Sequence, residues 1–252
     1  MNEEEKLFEE FDDLFYTDGY KIASDSLKSG ISQDTILSMQ GKIYDHIEDF
    51  LSMFQDQCWE NDQTIDCRKG CSWCCRQSVM VLPQEAFYLS NFVHSHVSEE
   101  LQSETTKRSE SKNQITSVQT ANDFLHGKTP CPFLIDNVCS VYKARPMGCR
   151  LFLSSSEQSC LNELNNPRDK SVYPLLYEFP LRAGRLLNAG ACAYLEEHGL
   201  IPYEWTFESS YLVASQDNNF KVWLSGDNPF KPREVAEKEL AYINKFEVSK
   251  GK

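Results

Sequence analysis

No stretch of this chain approaches the roughly 18 to 20 consecutive apolar residues that a membrane-crossing helix needs. Its first residues, Met1-Asn2-Glu3-Glu4-Glu5-Lys6, lack a basic segment followed by an apolar one, so no secretory leader is visible. The expected location is therefore cytoplasmic, where thiols stay reduced and stable disulfides are rare. Basic charge is also in short supply. Twenty-five Lys and Arg face 38 Asp and Glu, a net charge of −13, which argues against a nucleic-acid partner and against an anionic membrane surface. No Ser–His–Asp order, phosphate-cradling glycine loop or carboxylate pair stands out.

Cysteine is what the chain does have. Eight of its ten cysteines lie between Cys67 and Cys160, and four fall within Cys67-Arg68-Lys69-Gly70-Cys71-Ser72-Trp73-Cys74-Cys75. Disulfide stapling and thiolate binding of a metal are the two chemistries that account for such crowding, and a reducing compartment favours metal. Cys71 and Cys74 have the short loop spacing that lets two thiolates reach one ion from a single backbone turn. Cys67, one helical turn earlier, can join them. Adjacent Cys74 and Cys75 suit a polynuclear centre or two neighbouring ions better than one ion. All-sulfur ligation fits zinc, iron–sulfur or copper(I), not magnesium or calcium.

Both cysteine segments are locally cationic within an acidic chain. Arg68, Lys69 and Arg76 accompany the first; Lys143, Arg145 and Arg150 accompany the second. Such neighbours are expected to lower thiol pKa values and to offset the charge of a metal–thiolate centre.

The 252 residues suffice for one large domain or two small ones, with a core that need not depend on metal. Leu7, Phe8, Phe11, Leu14 and Phe15 trace one buried face of a first helix, which Gly30 ends. Ser32 caps a second helix carrying Ile36, Met39, Ile43, Ile47, Leu51 and Phe54. Val79 to Leu82 reads as an extended run stopped by Pro83. A helix follows from about Gln84, burying Phe87, Tyr88, Phe92 and Val93. Residues 98–120 are polar, either a solvated helix or a mobile linker. Asp136-Asn137 between apolar runs predicts a tight turn joining two short strands, and Arg145-Pro146 with Gly148 an irregular path into Cys149. Helical patterning returns over Leu175–Leu187 and Tyr203–Val213. The Cys67-x3-Cys71-x2-Cys74 spacing also occurs in radical enzymes that use S-adenosylmethionine, but the strand–helix rhythm of their barrels is missing.

The signature itself resembles the YkgJ-type cysteine-cluster family of zinc- or iron-chelating CxxCxxCC proteins. Cys67, Cys71, Cys74 and Cys75 match its C-x2,3-C-x2-C-C segment. Cys131-Pro132-Phe133-Leu134, Cys139-Ser140-Val141-Tyr142 and Arg145-Pro146-Met147-Gly148-Cys149-Arg150 follow, and Cys160 resembles the eighth family cysteine. The likeness covers about residues 65 to 160, with Trp223-Leu224-Ser225-Gly226 a weaker echo. It implies zinc or iron, including an iron–sulfur cluster, as cofactor and the metal ion as partner, held by Cys67, Cys71, Cys74, Cys75, Cys131, Cys139, Cys149 and Cys160. It assigns no reaction and no protein partner. The flagellin lysine methylase shares the signature, so an iron–sulfur-dependent redox or methyl-transfer enzyme is the alternative; metal storage or delivery is a third reading.

Cys58 and Cys192 fall outside the pattern, Cys192 reading as a core residue and Cys58 as a spare thiol. His94 and His96 lie on different helix faces, leaving His126 as the histidine to weigh as a ligand. Arg145 and Arg150 are candidates to bond cluster sulfurs or loop carbonyls, or to form surface salt bridges. Trp73 would shield the centre; Phe133 and Tyr142 read as packing residues. The expected fold is mainly α-helical with a small irregular, partly β, cysteine-rich metal-binding core. A helical hairpin (1–60), a cysteine-cluster region (61–165) and a C-terminal helical region (166–252) are expected to form one compact domain.

Overall fold

Gly30, at φ +119°, turns the chain out of its first helix, and Ser32 starts the second with a reciprocal capping box. Its hydroxyl accepts the Thr35 N–H at 3.3 Å while its own N–H donates to Thr35 Oγ1 at 2.9 Å. The structure, a computed structural model, describes residues 3–230, with side chains from residue 10 onward. The expected contributions of Leu7 and Phe8 lie outside the described side chains.

Helix α1 (Glu3–Leu27) buries Phe15, Ala23 and Leu27, and α2 (Gln33–Glu60) buries Ile36, Met39, Ile43, Ile47 and Leu51. Leu14 is 56% exposed, contrary to the expected apolar face. The face runs instead through positions 11, 15, 19, 23 and 27, because the more extensive partner of α1 is α8 (Glu178–Glu197) rather than α2. Glycines permit that approach. A Cβ on Gly19 would sit 1.9 Å from the Leu187 carbonyl oxygen, and one on Gly190 would sit 1.9 Å from that of Tyr16. Phe11 stacks on Phe179 with ring centroids 3.8 Å apart, and Tyr20 donates to Glu197 at 2.7 Å.

The extended run after the first cysteine segment is β1 (Met80–Val81), and Pro83 opens α3 (Pro83–His96). β1 pairs antiparallel with β4 (Trp205–Thr206), which leads into α9 (Phe207–Ala214) and α10 (Asn219–Leu224). Residues 98–120 are mostly helix, as α4 (Glu99–Thr116), yet α4 is not simply solvated. It packs on α9 through a buried polar stripe, Thr105, Ser109, Lys112 and Thr116. Ser109 and Thr116 return their hydroxyls to the carbonyls four residues back, at 2.8 and 3.2 Å. Their hydroxyls find partners within the helix, or for Thr116 also on Glu208 of α9, so their apolar atoms can face the core. Hydropathy alone does not reveal such a face.

After α5 (Ala121–Leu125), the second cysteine segment forms the expected hairpin, β2 (Leu134–Ile135) with β3 (Val138–Cys139). Asp136 and Asn137 at its turn adopt φ +48° and +60°, the left-handed pair that a two-residue hairpin requires. The path into Cys149 is more regular than expected, a single helical turn, α6 (Met147–Arg150). Cys160 lies on α7 (Glu157–Asn165). The described residues are thus mainly α-helical, with two small two-stranded sheets.

One buried carboxylate ties three of these pieces together. Glu85, the third residue of α3 and 2% exposed, accepts the Leu82 N–H at 3.1 Å. Its other oxygen accepts the Met147 N–H at 2.7 Å and the Tyr44 hydroxyl at 3.1 Å. Removing it strands three buried donors, each costing about 1–3 kcal/mol. Glu85→Ala should therefore lose about 3 kcal/mol or more in urea unfolding of the metal-free chain, and Glu85→Gln less. An Ala variant as stable as the parent would contradict this role.

Candidate metal centre

The first cysteine segment is short, irregular and pinned at both ends. Gly70, at φ +89°, lets the chain double back so that the Cys71 N–H reaches the Arg68 carbonyl at 3.0 Å. A 3-10 turn at Cys74–Arg76 follows, closed by the Gln77 N–H on the Cys74 carbonyl at 3.2 Å. Glu157 at the start of α7 clamps the upstream half: it pairs with Arg68 at 2.6 Å, accepts the Trp73 indole N–H at 3.0 Å, and donates its own N–H to Asp66 at 2.9 Å. Cys67 Sγ accepts the Ser154 N–H at 3.3 Å.

The downstream half is held by the second segment. Cys131 donates its N–H to the Cys75 carbonyl at 2.8 Å, and Ser72 donates to Asn137 Oδ1 at 3.2 Å. Phe133 is buried between Phe207 and Tyr211, anchoring the hairpin as a packing residue. Tyr142 is not one: it is 61% exposed, with the Arg145 guanidinium 3.8 Å above its ring.

Two arginines shape the loop that delivers Cys149. Arg150 is 3% exposed; its guanidinium lies 3.8 Å over the Tyr44 ring and donates to the Arg145 carbonyl at 2.8 Å, the Lys143 carbonyl at 2.5 Å, and Glu48. Arg145 donates to Tyr142 O at 3.2 Å and Glu48 at 2.9 Å. Both alternatives raised for these residues, loop carbonyls and salt bridges, are realised together.

The two stretches run side by side, joined by the Cys131 N–H on the Cys75 carbonyl and the Ser154 N–H on Cys67 Sγ. Cys67 lies within electrostatic reach of Cys71 and Cys160, and Cys74 of Cys75, Cys149 and Cys67. Cys149 senses Cys131, Cys139 and Cys75. Cys58 lies elsewhere, its thiol on Gln63 Oε1 at 3.5 Å, and Cys192 Sγ accepts from Gln84 Nε2 at 3.6 Å. His126 sits at the end of α5 with Nδ1 2.7 Å from the Asn122 carbonyl, and His94 and His96 are exposed on α3.

Local positive charge does not dominate the thiols as expected. Burial pushes Cys67, Cys71, Cys139 and Cys149 upward and Cys131 up to about 12. Cations oppose it: Arg68 on Cys71, Lys112 on Cys131, Arg145 and Arg150 on Cys139, Arg145 on Cys149. Only Cys75 is clearly lowered, first by the Cys74 hydrogen bond and then by Arg76 and Lys112. Lys112 is a contributor that sequence reading missed. It is 5% exposed on α4, with Nζ 3.7 Å from Glu208, itself bonded to Thr116 at 2.5 Å. Helical spacing places it on the buried stripe, but nothing local marks the thiols it faces.

Among the described residues, no three Cys, His, Asp or Glu side chains already stand close enough together to hold one ion. The donor chemistry nevertheless fits zinc or iron: soft sulfur atoms from two distant stretches, with cations positioned to offset thiolate charge. Binding must draw neighbouring thiols together and displace their protons.

Residues 66–170 match the family model of the CxxCxxCC domain, described as "Putative zinc- or iron-chelating domain". This is the family that the cysteine spacing resembles. The matched stretch contains all eight clustered cysteines and excludes Cys58 and Cys192. No curated protein and no solved structure matches the chain.

Buried thiols hold their protons more tightly than unfolded ones, which ionise near about pH 8.5. Their stabilisation of the metal-free chain is therefore full below that pH and falls as pH rises above it. Urea unfolding with chelator and reductant should show stability lower by about 1 kcal/mol or more at about pH 9.5 than at about pH 7.5. A rise in stability over that range would contradict the burial of these groups.

Proposed function

We propose that this protein binds zinc or iron through Cys67, Cys71, Cys74, Cys75, Cys131, Cys139, Cys149 and Cys160, as a reduced, cytoplasmic thiolate metalloprotein built as one compact domain. The observation that carries the reading is the joining of the two cysteine segments, with the Cys131 N–H on the Cys75 carbonyl at 2.8 Å and the Ser154 N–H on Cys67 Sγ at 3.3 Å. Zinc in such a setting cross-links structure; an iron–sulfur cluster adds one-electron chemistry.

The chain's own residues do the rest. Glu85 and Arg150 fix the backbone that presents Cys149. Glu157 fixes the strip from Cys67 to Trp73 against α7. Lys112, Arg145 and Arg150 stand where thiolate charge would develop, which lowers the cost of ionising buried sulfur. Adjacent thiols at Cys74 and Cys75 suit a polynuclear centre or two neighbouring ions, which favours the iron–sulfur alternative, a redox or methyl-transfer enzyme related to flagellin lysine methylase.

Anaerobic purification followed by elemental analysis tests the proposal. Cys74→Ser and Cys149→Ser should each lose at least half of the bound zinc or iron, whereas Cys192→Ser should retain it. Full metal content in the first two variants would overturn the ligand assignment. A colourless zinc protein would reject the cluster-enzyme alternative, and a brown iron protein would support it.

A further inference from the structure

The chain's negative charge is concentrated on its first two helices. Residues 1–60 hold 15 Asp and Glu against four Lys, whereas residues 61–252 hold 23 against 21 Lys and Arg. A groove of about 310 Å³ opens between α1 and α2, lined on α1 by Asp18, Ile22 and Asp25 and on α2 by Lys42 and His46. Lys42 donates to Ser26 at 3.1 Å near the turn, and His46 lies 3.2 Å from Asp18 at mid-length.

Helical periodicity carries both walls further from the turn. Leu14 lies four residues before Asp18 and eleven before Asp25, on the same face of α1. Met53 lies seven residues after His46 and eleven after Lys42, on the same face of α2. Leu14 and Met53 are 56% and 65% exposed, so most of their apolar surface faces water. Asp45, Asp49 and Asp56 follow one exposed edge of α2 at spacings of four and seven. The cations against them are Lys21 and Lys42.

We infer that the α1–α2 groove docks a basic amphipathic helix from a partner protein. Exposed apolar side chains along a two-helix groove edged by carboxylates fit a helix whose apolar residues recur at three and four and whose flanks carry Lys or Arg. The wall from Leu14 to Asp25 runs about 17 Å at about 1.5 Å per residue, the length of about three helical turns. Charge sets the sign of the partner. Fifteen acids against four lysines repel an acidic helix, and they repel the same hairpin of a second copy. The hairpin lies outside the cysteine domain of residues 66–170, so docking here needs no metal.

The probe is a labelled synthetic Leu/Lys peptide of about five helical turns, patterned as an amphipathic helix and titrated into the full chain by fluorescence anisotropy. A scrambled peptide of equal composition is the control. The patterned peptide should bind about tenfold tighter than the scrambled one, and more weakly as salt rises. Leu14→Ser with Met53→Ser should weaken binding about fivefold or more. Val118→Ser with Leu125→Ser, at exposed apolar sites outside the hairpin, should change it less than about twofold. Asp25→Asn with Asp49→Asn should also weaken it about fivefold or more, and Glu99→Gln with Glu100→Gln less than about twofold. All eight positions are exposed, and circular dichroism checks the helix content of each variant. Equal binding of the scrambled peptide, no binding, or equal losses in the groove and control pairs overturns the inference. Self-association of the parent in sedimentation that Leu14→Ser with Met53→Ser abolishes makes a second copy the occupant and overturns it too.

Discussion

The carboxylate of Glu85 is buried where three separately folded pieces meet. It caps α3, receives the first N–H of α6, and holds the Tyr44 hydroxyl of α2. Arg150 then lies over the opposite partner, the Tyr44 ring, and gathers the carbonyls of Lys143 and Arg145. Burial raises the pKa of Glu85, while the hydrogen bonds from Met147, Leu82 and Tyr44 and the charge of Arg150 act the other way. A buried acid in such a network is costly if any partner is lost and directional when all are present. Here it directs the Pro146-to-Arg150 turn, and hence the position of Cys149 relative to Cys75 and Cys131.

The thiols themselves show a contest between desolvation and charge. The fold removes sulfur atoms from water, which favours protonated thiols, and supplies Lys112, Arg145 and Arg150, which favour thiolates. Without metal, desolvation wins at most positions. A divalent ion adds the positive charge that reverses the balance, so proton release and metal uptake become one event. The same cations would offset the surplus negative charge of thiolates bound to an ion.

Local chemistry was legible in the sequence, and distant pairing was not. Gly30 with Ser32, the Asp136-Asn137 turn, the stop at Pro83 and the mainly helical content all depend on residues within a few positions of one another. Leu14 misled because its pattern fits a helix face, but which face is buried depends on α8, more than 150 residues away. Gly19 and Gly190 give that contact away only once the two helices are known to touch. The α4 stripe hid behind hydroxyls that bond back into the helix or across to Glu208 of α9. At the candidate centre the cysteines were visible through spacing and family likeness. Glu85, Glu157 and Lys112 were not, since an acid in the first turn of a helix or a lysine in a polar helix reads as ordinary surface until its partners fold against it.

The fold sets two cysteine segments side by side on a scaffold fixed by buried charge, and the proposed function requires that their sulfurs hold the metal. X-ray absorption at the metal edge, on full chain purified without oxygen, addresses this most directly. The account predicts a first shell made of sulfur, at about 2.3 Å for zinc. A first shell dominated by nitrogen or oxygen would contradict it.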